Sequence, residues 1–213
     1  MSDNQRDVRR DYAKGELRRE NIAQDPLQQF NAWLEDAQRA ELVDATAMTL
    51  ATVAANGQPS ARIVLLKHFD IHGYAWYTGY GSQKGIELAA NNKAILLFYW
   101  RELERQVRIS GVVEQVPLEY SESYFASRPE DSRFSAAASE QSQVIAGRPE
   151  LEAKVAELRG RYPDGNVPMP QTWGGYRLQP SEYEFWQGRV GRLHDRFRYQ
   201  PAAGGWQIDR LQP

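Results

Sequence analysis

Cysteine is absent from the 213 residues, which excludes a disulfide framework, a thiolate nucleophile and any thiolate metal site. The three histidines, His68, His72 and His194, are too few for a structural zinc set without cysteine, so no metal is expected. No apolar run approaches the roughly 20 residues of a membrane span. The segment from Met1 to Glu20 mixes acids and bases and lacks the apolar stretch of a secretion signal. The expectation is a soluble, cytoplasmic protein with no membrane partner. Neither sign of charge dominates: 26 basic residues face 28 acidic ones, for a net charge of -2. That balance argues against a chain whose main task is gripping nucleic acid. Several catalytic signatures are also missing, namely a G-x-S-x-G elbow, a Walker loop, a G-x-G-x-x-G turn and an HExxH helix.

Lysine is scarce too. Lys14, Lys67, Lys84, Lys93 and Lys154 are the five lysines, against 21 arginines. Arginine suits bidentate capture of phosphate and carboxylate, but a GC-rich genome gives the same bias, so composition establishes no phosphate ligand. The 41% hydrophobic and 25% charged content is that of a folded globular chain.

Residues 1–24 are polar, without apolar periodicity, and read as a mobile arm, leaving 25–213 as a single domain. Asp25-Pro26 is a helix start, Asp as cap and Pro at the first helical position, with Leu27, Phe30, Trp33, Leu34 and Ala37 on one face. Strands are expected over Ala47 to Ala54 and Ala61 to Phe69, joined by an Asn56-Gly57 turn. Further strands are expected over Tyr74 to Thr78, Ala94 to Trp100 and Gln106 to Val116. A short helix starts at Ser82 and carries Ile86, Leu88 and Ala89. Pro117 to Arg161 reads as mostly helical, clearest over Leu118 to Phe125 and Glu150 to Leu158, and Pro163 to Pro170 as a loop. Strand signals return at Gly175 to Leu178, Tyr183 to Trp186, Leu193 to Tyr199 and Trp206 to Leu211. Helices interrupting one sheet favour an α+β domain around a small antiparallel barrel.

Four segments concentrate unusual polar residues. In Arg62 to Lys67 (RIVLLK) a cation closes each end of an apolar run, which is expensive if buried unless each meets a partner. In Tyr77 to Lys84 (YTGYGSQK) a strand passes through glycines into a helix start, where free amides and a lysine favour an anion. Trp100 to Arg108 is a charged hairpin, for which a solvated turn is the plain reading. Arg192, His194 and Arg196, if in a strand, share one face, and two arginines beside a histidine suit a phosphorylated substrate.

Taken in order, RIVLLK, YTGYGSQK, LERQV, YFASRPEDS, QS, WGGYRL, FWQG, RLHDRF and a terminal IDRL resemble the pyridoxine (pyridoxamine) 5'-phosphate oxidase family over nearly the whole chain. The resemblance implies a split antiparallel β-barrel of the FMN-binding type with peripheral helices, and a homodimer with FMN at the subunit interface. It implies that Arg62, Ile63, Val64, Leu65, Leu66, Lys67, Tyr77, Thr78 and Lys84 hold FMN, with Gln106, Gln141, Ser142, Trp186 and Arg196 completing that site. It further implies that Lys67, Tyr124, Arg128 and Ser132 hold the phosphate of pyridoxamine or pyridoxine 5'-phosphate. Arg192, Leu193 and His194 would lie over the substrate ring, Arg192 and His194 as the catalytic pair, under a lid of Arg9, Arg10, Asp11 and Tyr12. The implied reaction is FMN-dependent oxidation to pyridoxal 5'-phosphate, with O2 as acceptor. A non-catalytic flavin- or haem-binding barrel is the alternative. One position departs from the family pattern: Gln83 stands where arginine usually precedes the lysine, and hydrogen bonds without charge imply a weaker grip on FMN phosphate at most.

Overall fold

A computed structural model describes residues 11–213. They form nine strands and five α-helices: α1 Pro26–Arg39, β1 Ala47–Val53, β2 Pro59–Leu65, β3 His68–Asp70, β4 Gly73–Gly79, α2 Gln83–Ala90, β5 Lys93–Trp100, β6 Arg105–Gln115, α3 Leu118–Ser127, α4 Glu130–Ala138, α5 Arg148–Arg161, β7 Trp173–Gln187, β8 Asp195–Ala202 and β9 Gly205–Arg210. The strands hydrogen-bond in the order β2-β1-β5-β6-β7-β4-β3, with β8 paired to β7 and β9 to β8. The pairings β3–β4, β4–β7, β7–β8 and β8–β9 are antiparallel. The described residues divide into two compact units, 11–49 with 95–110 and 180–213, and 50–94 with 111–179. Among the described residues no helix is long and apolar enough to cross a membrane.

The first unit is built on aromatic rings. Asp25 caps α1, its carboxylate accepting from Leu27 N at 2.8 Å, and the helix buries Phe30, Trp33, Leu34 and Ala37 as the spacing predicts. Phe30 lies 4.9 Å from Phe98, Trp33 5.3 Å from Phe185, and Phe185 5.4 Å from Tyr199. Residues 11–24 form no helix or strand, but Leu17 and Ile22 are buried. Leu17 N donates to Asp195 Oδ2 at 3.1 Å, and Lys14 N to Glu104 Oε2 at 2.9 Å.

In the second unit Tyr74, Trp76 and Leu178 are fully enclosed, and Phe125, Phe134, Val167 and Trp173 form a smaller cluster with α3 and α4. Pro129 ends α3: the residue before a proline is held out of the helical region, and Arg128 is extended at φ -72°, ψ 149°. The helix α4 that follows carries no strong apolar periodicity, and the sequence marks it only as part of a helical stretch.

Three expectations change. Ala61 to Phe69 is not one strand: it breaks after Leu65 into β2 and β3, and β2 ends the strand path. Ile63 and Leu65 are therefore exposed rather than core. On α2 the buried side is Lys84, Glu87 and Leu88, while Ile86 is exposed. Gly175 to Leu178 and Tyr183 to Trp186 belong to one 15-residue strand, β7, because Pro180 leaves the backbone extended.

Candidate active site

A cleft of about 860 Å³ opens in the second unit, in the size range of small-molecule sites. Its walls come from β2, the β4–α2 turn, the α3–α4 junction and the segment after α4. Of the residues expected to hold FMN or substrate, Arg62, Ile63, Val64, Leu65, Lys67, Tyr77, Thr78, Lys84, Tyr124, Arg128, Ser132, Gln141 and Ser142 all line it. Leu66 does not: it is buried in the protein interior.

At one end, Ser82 caps α2, its hydroxyl accepting from Gly85 N. Lys84 is buried, and its Nζ donates to Thr78 Oγ1 at 3.0 Å, Ser82 Oγ at 3.2 Å and Gln141 Oε1 at 3.2 Å. These partners are neutral, so among the described residues no carboxylate is paired with it directly. Burial pushes the Lys84 amine down to about 8; repulsion from Arg62 adds to this and attraction to Glu87 opposes it. A buried ammonium ringed by hydroxyl and amide oxygens is suited to an incoming anion.

Arg62 is arranged differently. Its two terminal nitrogens donate to Leu50 O, Thr52 Oγ1, Ser60 Oγ and Glu87 Oε2, the last at 3.0 Å. Glu87 also accepts from Thr52 at 2.5 Å, from Ser60 at 2.7 Å and from Gln83 Nε2 at 3.0 Å. Burial alone would raise the Glu87 carboxyl, but the hydrogen bonds from Thr52, Ser60, Arg62 and Gln83 hold it down to about 2. The guanidinium is thus a neutralised, oriented part of the wall. Glu87 carries no motif signal, and the sequence reading missed it.

At the other end, Tyr77 and Tyr124 stack at 3.9 Å and Trp173 lies nearly parallel to both. The guanidinium of Arg128 sits 5.0 Å from the Trp173 ring, and its buried Nη1 has no hydrogen-bond partner. Burial depresses the Arg128 pKa, with Tyr124 opposing. Lys67 is exposed at the rim, past the end of β2. Trp173 was read as part of a motif, not of a site.

The remaining expected residues that are described lie in the first unit. Trp186, His194 and Tyr12 form an aromatic group, with centroids 4.6 Å apart for Trp186–His194, 5.4 Å for Tyr12–His194 and 5.7 Å for Tyr12–Trp186. Gly188 admits the Tyr12 ring, since a Cβ there would fall 2.6 Å from Tyr12 Cδ1. Arg189 N donates to His194 Nδ1 at 3.1 Å, so the neutral imidazole carries its proton on Nε2. Burial, then the Arg192 charge, lower the His194 pKa, and Asp195 opposes them.

Arg192, His194 and Arg196 do not share a strand face as expected. β8 begins only at Asp195, and Arg192 closes a 3₁₀ turn in the left-handed region at φ 62°. Arg192 and Leu193 are exposed. Arg196 is paired to Glu184 at 2.8 Å and donates to Gln212 O at 2.8 Å. Gln106 is half-buried on β6, Asp11 is exposed, and Arg9 and Arg10 lie outside the described residues.

Residues 34–162 match the family profile described as pyridoxamine 5'-phosphate oxidase, and residues 173–213 match the pyridoxine 5'-phosphate oxidase C-terminal dimerisation region. The chain belongs to the pyridoxamine 5'-phosphate oxidase family. It is 52% identical to a pyridoxine/pyridoxamine 5'-phosphate oxidase of Cupriavidus metallidurans over 97% of this chain and 98% of that one. It is 54% identical to a protein of the same name from Bordetella petrii, with the same coverage. Among solved structures, PhzG from Burkholderia lata 383, in complex with tetrahydrophenazine-1-carboxylic acid, superposes with a TM-score of 0.86 at 32% identity, covering 91% of this chain and 95% of that one. The split-barrel α+β fold and FMN as cofactor follow from family membership.

The residues present fit FMN. The flavin cofactor carries a phosphate on a polyhydroxylated chain; Lys84, the Thr78 and Ser82 hydroxyls and the Gln141 amide form one polar end of the cleft. The apolar Ile63, Val64 and Leu65 line the same cleft and offer a surface to a flat ring.

Proposed function

We propose that this oxidase-family chain converts pyridoxamine 5'-phosphate and pyridoxine 5'-phosphate to pyridoxal 5'-phosphate. The observation that carries the reading is the pairing, in one cleft, of two cationic ends of different construction: Lys84 among neutral oxygens, and Arg128 against aromatic faces. Two phosphorylated molecules, cofactor and substrate, need two such ends. The relatives named for this activity match over nearly the whole chain.

FMN, when bound, would supply the redox chemistry: two-electron oxidation of the substrate with O2 as final acceptor and hydrogen peroxide as product. The protein's residues bind and orient. Lys84, Thr78, Gln141 and Ser142 hold the cofactor phosphate and chain, with Arg62, tied to Glu87, as the rigid wall behind them. Arg128, Lys67, Tyr124 and Ser132 hold the substrate phosphate. Arg192 and His194 meet the substrate ring, His194 donating from Nε2–H, while Gln106, Trp186 and Arg196 complete the flavin site. For the amine substrate, water then releases ammonia from the imine. The working unit is a homodimer with FMN at the subunit interface, located in the cytoplasm, and Tyr12 belongs to a lid that closes on Trp186 and His194.

The test is an aerobic assay of FMN-loaded protein with pyridoxamine 5'-phosphate. Equal amounts of pyridoxal 5'-phosphate and hydrogen peroxide are expected; a flavin-loaded protein that forms neither would leave the non-catalytic binding reading in its place.

A further inference from the structure

We infer that Trp173 is a positioning residue for the substrate phosphate, holding the Arg128 guanidinium by its ring face so that the arginine enters the cleft as an uncompensated cation. The inference rests on the oxidase reading above and adds to it a residue to which neither the motifs nor the cleft chemistry gives a role.

The contrast with Arg62 carries the argument. Arg62 is oriented by the Glu87 carboxylate at 3.0 Å, which cancels its charge. Arg128 has no carboxylate partner among the described residues. Its Cζ lies 5.0 Å from the Trp173 centroid and 5.9 Å from that of Phe125, and its buried Nη1 donates to nothing. A ring face attracts a guanidinium through its quadrupole but does not neutralise it, so the full charge remains for a phosphate in the cleft that Arg128 lines. Trp173 is itself fixed. It is buried at 8% exposure, opens β7 opposite Gly79, and donates its backbone N–H to Pro170 O at 3.0 Å. The same ring lies parallel to Tyr124, 6.3 Å away at 5°. One indole therefore backs two of the groups expected to hold the phosphate.

The experiment compares W173L and W173F with wild type, each also in an R128A background, by steady-state kinetics with pyridoxamine 5'-phosphate and by FMN fluorescence titration. W173L is expected to raise KM about ten-fold, the loss of one partly buried cation–π contact. Its kcat should stay within about two-fold, because the reacting centre is untouched, and its FMN affinity should change less than its KM, because Tyr77 keeps its stack on Tyr124. W173F keeps a smaller ring face and should raise KM only about three-fold. In the R128A background either substitution should raise KM much less than in wild type, since most of the effect passes through Arg128 and only the Tyr124 contact remains. Unchanged KM in the variants that fold, or an equal rise with and without Arg128, overturns the inference. W173F is the milder change and carries the comparison if W173L does not fold. Wild-type protein that leaves the substrate unoxidised overturns instead the reading beneath it.

Discussion

Lys84 is a buried cation whose hydrogen-bond partners are all neutral. Burial holds its amine down to about 8, so the folded, unliganded chain gives up that proton before the unfolded chain does. The sign follows: between about 8 and the ordinary lysine value the unfolded state binds more protons, and the unliganded protein gains stability as pH rises through that window. FMN affinity should move the opposite way, falling as pH rises above about 8, because the dianion loses its cation. K84Q should weaken FMN binding on the order of ten- to a hundred-fold at pH 7 and abolish that alkaline fall, given the typical strength of charge-assisted hydrogen bonds. Fluorescence titration of apo-protein between pH 7 and 9.5 checks both. Affinity that is flat with pH in the wild type would remove Lys84 from the phosphate end. Gln83, where the family pattern has arginine, spends its amide on Glu87 at 3.0 Å, so at this position the chain braces Arg62 rather than adding a cation.

At the scale of elements, the run Trp173-Gly174-Gly175 explains why a strand can serve the site. Gly175 pairs with Tyr77 across β4 and β7, and a Cβ there would lie 2.6 Å from Val116 Cγ2 and 2.7 Å from Tyr77 Cε1. The missing side chain is what lets the Tyr77 ring settle against Tyr124. G175A should therefore cost about 1–3 kcal/mol by overpacking, read as a lower urea midpoint, and should raise KM for the phosphorylated substrate. A stability cost without a KM change would confine Gly175 to packing. The elements were largely legible in the chain: the Asp25-Pro26 start, the Asn56-Gly57 turn and the Ser82 cap are local chemistry, and local chemistry survives folding. What was not legible depends on partners far along the chain. The exposure of Ile63 and Leu65 follows from β2 being last in the strand path, and no period within the segment reports that. The left-handed Arg192 breaks the strand that the alternation of Arg192, His194 and Arg196 suggested.

For the whole molecule, the expected site residues separate into two groups. The cleft of the second unit gathers the residues near Lys84 and Arg128, while Tyr12, Trp186 and His194 assemble in the first. Ordered motifs made the membership of both groups readable, since each motif supplies several neighbours at once. They gave no hint of Glu87 or of the role of Trp173, whose signals are a carboxylate inside a helix and a ring at a strand start. The direct test is an anaerobic titration of FMN-loaded protein with pyridoxamine 5'-phosphate, followed by visible absorption. The flavin band should bleach in proportion to added substrate and return when air is admitted. A flavin band that substrate leaves unchanged would contradict the oxidase account.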